Sequence, residues 1–276
     1  PAGIYFGQGA RVDANQIVAS GLNITDQAFL SGHWDFHGGD GAVINDGHIS
    51  AENIVLIGSQ VVNAGSLFAP NGAVALLVGE TALIREEGDG SLYVEVDGKS
   101  LDDLKQETKS PSAEPTKGTA IENKGTIEGQ KLTFMAGDLY AQAFTNLNKV
   151  AASIPASEEG KPEVQIAAAS GKVTNEGTIE ANGSSTMANG PSTISIHAPD
   201  IESSGAILAP SGHITLQSTG TTIVSGVIDA SSASSPGSPG VPSASEGGTI
   251  QVLGNLVGLF DDALIDASGS AGGGRM

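Results

Sequence analysis

Two adjacent aspartate pairs, Asp102-Asp103 and Asp261-Asp262, are the first residues whose types and spacing suggest chemistry. Paired carboxylates are what a polysaccharide hydrolase uses, one as acid and the other as base or nucleophile. On a scaffold of stacked parallel strands such an enzyme would also want a Gly-His-Gly and an Arg-x-Lys around the same cleft. A lyase would want Arg or Lys beside calcium-binding aspartates, and the sequence offers neither set. His33 and His37 flank Trp34-Asp35-Phe36, a spacing that on a helix aligns two imidazoles for a metal. Gly32, Gly38 and Gly39 bracket that segment, so a strand or loop with surface histidines is expected instead. Gly38-Gly39-Asp40-Gly41 matches part of a calcium-binding nonapeptide, but it occurs once and lacks the aspartate that follows. No Gly-x-Ser-x-Gly elbow is present, and Gly254-Asn255-Leu256-Val257-Gly258 lacks the lysine of a phosphate-cradling loop. The chain is therefore expected to be no enzyme, with no metal and no cofactor.

Composition points to what must hold any such residues in place. Of 276 residues 39 are glycine and only 4% are aromatic, so a core has to be built from small and β-branched side chains. That suits thin, stacked strands. The net charge of −19 repels phosphate backbones, and the 12 Lys and Arg form no basic stripe, so neither a nucleic-acid partner nor a heparin-like ligand is expected. Without cysteine there is neither a disulfide nor a thiolate metal site, and an unfolded chain could pass a narrow pore with no oxidised loop in it. No apolar run approaches the ~20 residues that span a bilayer, so a transmembrane protein is not expected. Pro1 is no natural start, and a piece of a longer chain is expected.

Internal repetition organises the rest. Asn45-Asp46-Gly47-His48-Ile49-Ser50-Ala51 recurs as Asn63-Ala64-Gly65-Ser66-Leu67-Phe68-Ala69, again from Asn123 through Gly125 to Gly129, and as Asn175-Glu176-Gly177-Thr178-Ile179-Glu180-Ala181. Worn copies follow at Ser203 to Ala209, Gly226 to Ala230 and Ala263 to Ala267. The pattern N-x-G-x-[IL]-x-[AG] reads as a turn and a short strand: Gly supplies positive φ, the Ile or Leu and the Ala point inward, and His48, Ser50, Glu128, Glu180, Asp229 and Asp266 point to solvent. Second apolar runs, such as Ile54-Val55-Leu56-Ile57 and Ile214-Thr215-Leu216, give each repeat at least two strands. Units of this size cannot bury their own apolar faces, so they must stack. The reading is an all-β, right-handed parallel β-helix over residues 1–276, about nine coils and roughly 45 Å long. Asn45 and Asn63 are the best candidates for an amide ladder, which four of seven copies leave partial.

Three stretches interrupt the repeat and are expected to be insertions. Residues 84–119 open with a hairpin turned at Glu87-Gly88-Asp89-Gly90 and continue as a mobile charged loop from Asp102 to Lys117. Residues 138–170 contain Asp138 to Phe144, expected to be a short helix capped by Asp138, and the polar run Ser157 to Pro162. Residues 231–247 are a Ser/Pro/Gly tract without packing potential.

The order of motifs in residues 1–83 resembles the later part of the secretion domain of filamentous-haemagglutinin-like exoproteins. Pro1-Ala2-Gly3-Ile4 is similar to the end of that family's N-P-N-G-I turn, with Ala2 in place of an asparagine. Ala10-Arg11-Val12-Asp13, Ile17 to Ile24, Phe29-Leu30-Ser31-Gly32, Gly41 to Asn45 and Ala69 to Val74 continue the likeness, as do Gly247 to Gly254 and Gly258 to Gly269 near the other end. The resemblance implies export by two-partner secretion through an outer-membrane β-barrel transporter. It also implies an extracellular or surface location on a Gram-negative-type bacterium, and adhesion to host or neighbour-cell glycans or proteins. Rival expectations are a carbohydrate-active β-helix enzyme, centred on Asp261 and Asp262, and a passive stalk. Adhesion, if present, is expected at residues 84–119 and 138–170, because irregular segments on a regular scaffold usually carry recognition.

Overall fold

The computed structural model describes residues 2–86, 92–106, 116–154, 160–183, 191–232 and 246–276. These are mostly β, and the two large sheets are built from parallel neighbours. A nine-stranded sheet runs in chain order from Ile4–Phe6 through Val43–Asn45, Val61–Asn63, Lys117–Asn123, Tyr140–Asn146, Lys172–Asn175, Asp200–Ser203 and Thr221–Val224 to Leu256–Leu259. Each repeat thus advances this sheet by one strand.

The second large sheet has thirteen strands arranged as two columns. In early repeats one long strand runs through both: His48–Gly58, Ser66–Val78 and Thr126–Ala136. Later repeats cut it in two, as in Lys149–Ser153 with Glu163–Ala168 and Thr178–Asn182 with Thr193–Ala198. The Ser/Pro/Gly tract falls at such a cut, between Val227–Asp229 and Thr249–Leu253, and its residues 233–245 lie outside the described ones.

The repeat motif does what its alternation requires. Ile49, Leu67, Ile127, Ile179, Ile207 and Ile228 are all fully buried in one continuous core, with Ala51, Ala69, Ala181, Ala209 and Ala230 beside them. Burying each such Ile or Leu is worth about 1.5–3 kcal/mol, and each stacks on its counterpart in the adjoining strand.

Asparagine side chains stack in the same way, and further than the sequence suggests. Asn45 Nδ2 donates to Asn63 Oδ1 at 2.9 Å, Asn63 to Asn123 at 2.9 Å, Asn123 to Asn146 at 2.9 Å and Asn146 to Asn175 at 2.8 Å. Asn175 Nδ2 ends the row on Ser203 Oγ at 3.2 Å. Each of these Nδ2 groups also reaches a carbonyl of the next strand, as Asn123 does to Lys149 O at 3.1 Å. Buried amides cost free energy unless their hydrogen bonds are made; stacking in register makes them.

The glycine two places on is needed for a different reason from the one expected. None of Gly47, Gly65, Gly125 and Gly177 has positive φ. A Cβ on Gly65 would instead lie 2.0 Å from Gly47 O, one on Gly125 1.9 Å from Gly65 O, and one on Gly177 2.1 Å from Asn148 O. At these glycines turn stacks on turn too closely for a side chain to fit without shifting the backbone. Asn146 escaped the motif because Asn148 stands where glycine is expected; there the Lys149 N to Gly125 O bond is 3.4 Å, against 3.0 Å for Thr126 N to Gly65 O.

Residues 138–170 also differ from expectation. Asp138 to Phe144 is no helix: Tyr140–Asn146 is a strand of the nine-stranded sheet, pairing in parallel with Lys117–Asn123 and Lys172–Asn175. Tyr140, Ala143 and Phe144 are buried, and the Phe144 ring stacks on Phe134 with centroids 5.1 Å apart. Core burial and nine-stranded pairing override the local capping signal. Ser157 to Glu159 lie outside the described residues.

The hairpin in residues 84–119 is present, its strands Thr81–Glu86 and Leu92–Val96 pairing antiparallel, while Glu87 to Gly90 lie outside the described residues. The charged segment after it is not a loop throughout. Leu101–Gln106 forms a helix, here α2 because Asp26–Ser31 forms an earlier one, α1. Ser100 caps α2 reciprocally: Asp103 N donates to Ser100 Oγ at 3.2 Å, and Ser100 N and Oγ donate to Asp103 Oδ2 at 2.9 and 2.6 Å. Those bonds hold the Asp103 carboxyl below its ordinary value. Lys117–Asn123 is a strand, and residues 107–115 lie outside the described ones.

A third sheet stands apart from the repeats. Asn23–Ile24, Trp34–His37, Thr81–Glu86, Leu92–Val96 and Lys99–Ser100 pair antiparallel in five strands. With α2 they form a flap over the outer face of the thirteen-stranded sheet. A second core joins Phe36, Ala82, Ile84, Val94, Val96 and Leu104 to the outward Val55, Ile57, Ala75, Leu77 and Met135.

Candidate functional site

One edge of the flap leaves a groove of about 320 Å³ against the sheet beneath it. Its floor comes from three adjacent strands whose register places Ala73, Lys131 and Glu163 side by side, and Ala75, Thr133 and Gln165 side by side. Its wall is Leu92, Tyr93, Val94 and Ser100 with Leu101, Asp102 and Lys105 of α2. The floor is fixed by the repeats, the wall by the flap.

Charges on the wall are largely held. The Arg85 guanidinium lies 4.0 Å from the Tyr93 ring centroid, a cation–π contact, and the Tyr93 hydroxyl donates to Glu95, which holds the phenol above its ordinary pKa. Lys105 Nζ is 3.8 Å from Asp102 Oδ1. On the floor, Gln165 Nε2 donates to Glu163, while Gln165 Oε1 is buried without a donor among the described residues. A buried acceptor left alone costs about 1–3 kcal/mol.

Beside the groove, Ser195 Oγ and His197 Nε2 lie 2.8 Å apart on one face of Thr193–Ala198. Burial, with help from the Lys105 charge, pushes the His197 pKa down to about 4, so the imidazole is neutral. A neutral histidine on a serine resembles half of a nucleophilic dyad. The space next to this ring is only about 20 Å³, room for a water and no substrate.

The candidates singled out by sequence are scattered. Asp261 and Asp262 occupy an exposed turn, Asp261 with φ 52°; Asp102 and Asp103 lie at the start of α2. His37 ends the strand Trp34–His37 and His33 just precedes it, both exposed. Four residues along a strand span ~13 Å, too far for one metal ion. Among the described residues no cluster of three or more metal-ligating side chains occurs. The outward acids do not form a stripe either: Glu128 and Glu180 are separated by Ala151, and Leu208 precedes the adjoining Asp229 and Asp266. Lys149 Nζ binds Glu180 at 2.8 Å, which raises the lysine pKa. Of the N-terminal motif, Pro1 lies outside the described residues, Gly3 has φ 104°, and Ile4 N donates to Ala42 O at 2.8 Å. The repeat residues Asn45, Asn63, Asn123 and Asn175 stack in one interior column, and Gly47, Gly65, Gly125 and Gly177 lie in the close-packed turns beside it, structural roles.

The sequence left one signal of the groove unused. Ile54-Val55-Leu56-Ile57 and Val74-Ala75-Leu76-Leu77 do not alternate, as strands covered on both faces do not. No protein-family model and no curated protein matches the chain. No helix among the described residues is long and apolar enough to cross a membrane.

Proposed function

We propose that this chain is a right-handed parallel β-helix, a stretch of rod from a filamentous-haemagglutinin-like exoprotein that is exported through an outer-membrane β-barrel transporter and acts in adhesion at the cell surface. The observation that carries the reading is the parallel stacking from Asn45 to Ser203, in which each repeat sets its strand on the one before and its asparagine, or at the end Ser203, on the preceding asparagine. Parallel strands joined by crossovers are right-handed in nearly all proteins, which supports the hand. The adhesive part of the reading rests on the flap, because a non-repeating sheet laid on a repeating one is where a rod can carry specificity. Rods of this kind work by presenting surface, so catalysis is not part of the proposal.

The test is to incubate the folded chain with a panel of polysaccharides and host glycoproteins, following retention on each ligand and the release of shorter products by mass spectrometry. Retention without cleavage is the expected result. Product release would overturn the non-enzymatic reading, and neither retention nor cleavage would reduce this segment to a passive stalk.

A further inference from the structure

The groove lies where the outer face of the thirteen-stranded sheet changes character. Along one outward row the residues are Val55, Ala75, Thr133, Gln165, Ser195 and Thr215, apolar at first and polar afterwards, and the groove spans the change from Ala75 to Gln165. We propose that it binds one or two rings of an acidic saccharide, a sugar bearing a carboxylate. The proposal rests on the adhesive reading of the flap and names the ligand class for it.

Size, lining and charge each point this way. A volume of about 320 Å³ sits at the small end of ligand pockets and suits a pyranose or two rather than a peptide. Sugars are amphipathic: their C–H faces pack on small apolar surface while their hydroxyls need donors and acceptors. Ala73, Ala75 and Leu92 supply the first, and Thr133, Asp102 and Glu163 the second. Gln165, at the inner end of the floor, keeps an acceptor that no described donor reaches, and a hydroxyl is a donor.

Charge decides between neutral and acidic sugars. The whole chain carries −19 with only 12 cationic side chains, so its surface repels anions nearly everywhere. At the groove Lys105 and Lys131 balance Asp102 and Glu163, so its lining is neutral where the chain as a whole is strongly negative, and Lys105 is already paired with Asp102. Lys131 is exposed and, among the described residues, makes no ion pair, although it stands beside Glu163 in the register. A carboxylate entering the groove would give Lys131 a charge-assisted hydrogen bond.

The test is calorimetric titration of the full chain with trigalacturonate and with its neutral methyl ester. Saturable binding of the acid is expected, with the ester weaker by about tenfold. Lys131→Glu is expected to abolish that preference with an unchanged circular dichroism spectrum, and Lys105→Glu, at a half-buried position, to diminish it. Absence of binding to the acid, equal binding of acid and ester, or wild-type binding by both variants would each overturn the proposal. If the acid fails to bind while other glycans of the panel are retained, the ligand class falls and the adhesive reading stands; if nothing is retained, both fall.

Discussion

Ile54-Val55-Leu56-Ile57 and Ile214-Thr215-Leu216-Gln217 occupy the same column of the same sheet, yet only the first is covered on both faces. Inward, the column hardly changes: Ile54, Val74, Leu132, Val164, Ile194 and Ile214 stack in register and all are buried. Outward, Ile57, Leu77 and Met135 lie under the flap and are fully buried, whereas Gln217, in the same row, is half-buried and polar. The inward half is set by the need of every coil to bury its neighbour. The outward half is free to vary, and it varies where the flap ends. Repetition builds the stacked parallel sheets, and the unrepeated flap individualises them.

This contrast can be broken most severely in the column of turns. Gly125→Ala would place a methyl 1.9 Å from Gly65 O. A loss of about 4 kcal/mol is expected from forcing two backbone turns apart, read as a lowered urea midpoint; a change within error would show that the turns tolerate side chains. Asn123→Leu comes next. It takes a partner from both Asn63 and Asn146, and about 3 kcal/mol is expected from the orphaned amide groups. If the column were merely space-filling, the variant would match wild type in the same urea titration.

The flap side is probed by pH through His197, which shares its small cavity with Leu104 and Lys105 of α2. Burial holds the folded pKa at about 4, against 6.5 for the free side chain. The unfolded chain therefore takes up a proton first, so this stability is fully present above pH 6.5 and is lost as the pH falls towards 4. The loss is on the order of 2–3 kcal/mol. Comparing wild type with His197→Gln at pH 7 and pH 4.5 isolates it, and an identical pH dependence in the two would remove His197 from the account. The smallest effect belongs to the solvent face of the stack. Glu180→Gln breaks the 2.8 Å pair with Lys149 and should cost only about 0.5 kcal/mol by thermal melting; a loss as large as that of Asn123→Leu would mean that surface charge, not the interior column, holds the coils together.

Much of the stack was legible because each coil repeats its reasons. Asn45, Asn63, Asn123 and Asn175 announced a column, and the Ile-x-Ala alternation announced which way it faced. Asn146 was hidden by a single departure, Asn148 for glycine. Asp138 to Phe144 imitates a helix start, a capping aspartate before an alanine-containing run, while the parallel strands that claim Tyr140–Asn146 come from residues 117–123 and 172–175. The groove was the least legible: Tyr93, Lys105, Lys131 and Gln165 share no motif and meet only when a hairpin folds across three coils.

The sequence by itself determined the period, the inward residues and the all-β character, since these depend on alternation and on contacts between copies of one short pattern. Only the tertiary structure decided why the turn glycines are needed, how far the asparagine column runs and where the groove lies. Each depends on one backbone approaching another across tens of residues, a distance of closest contact that no local pattern encodes.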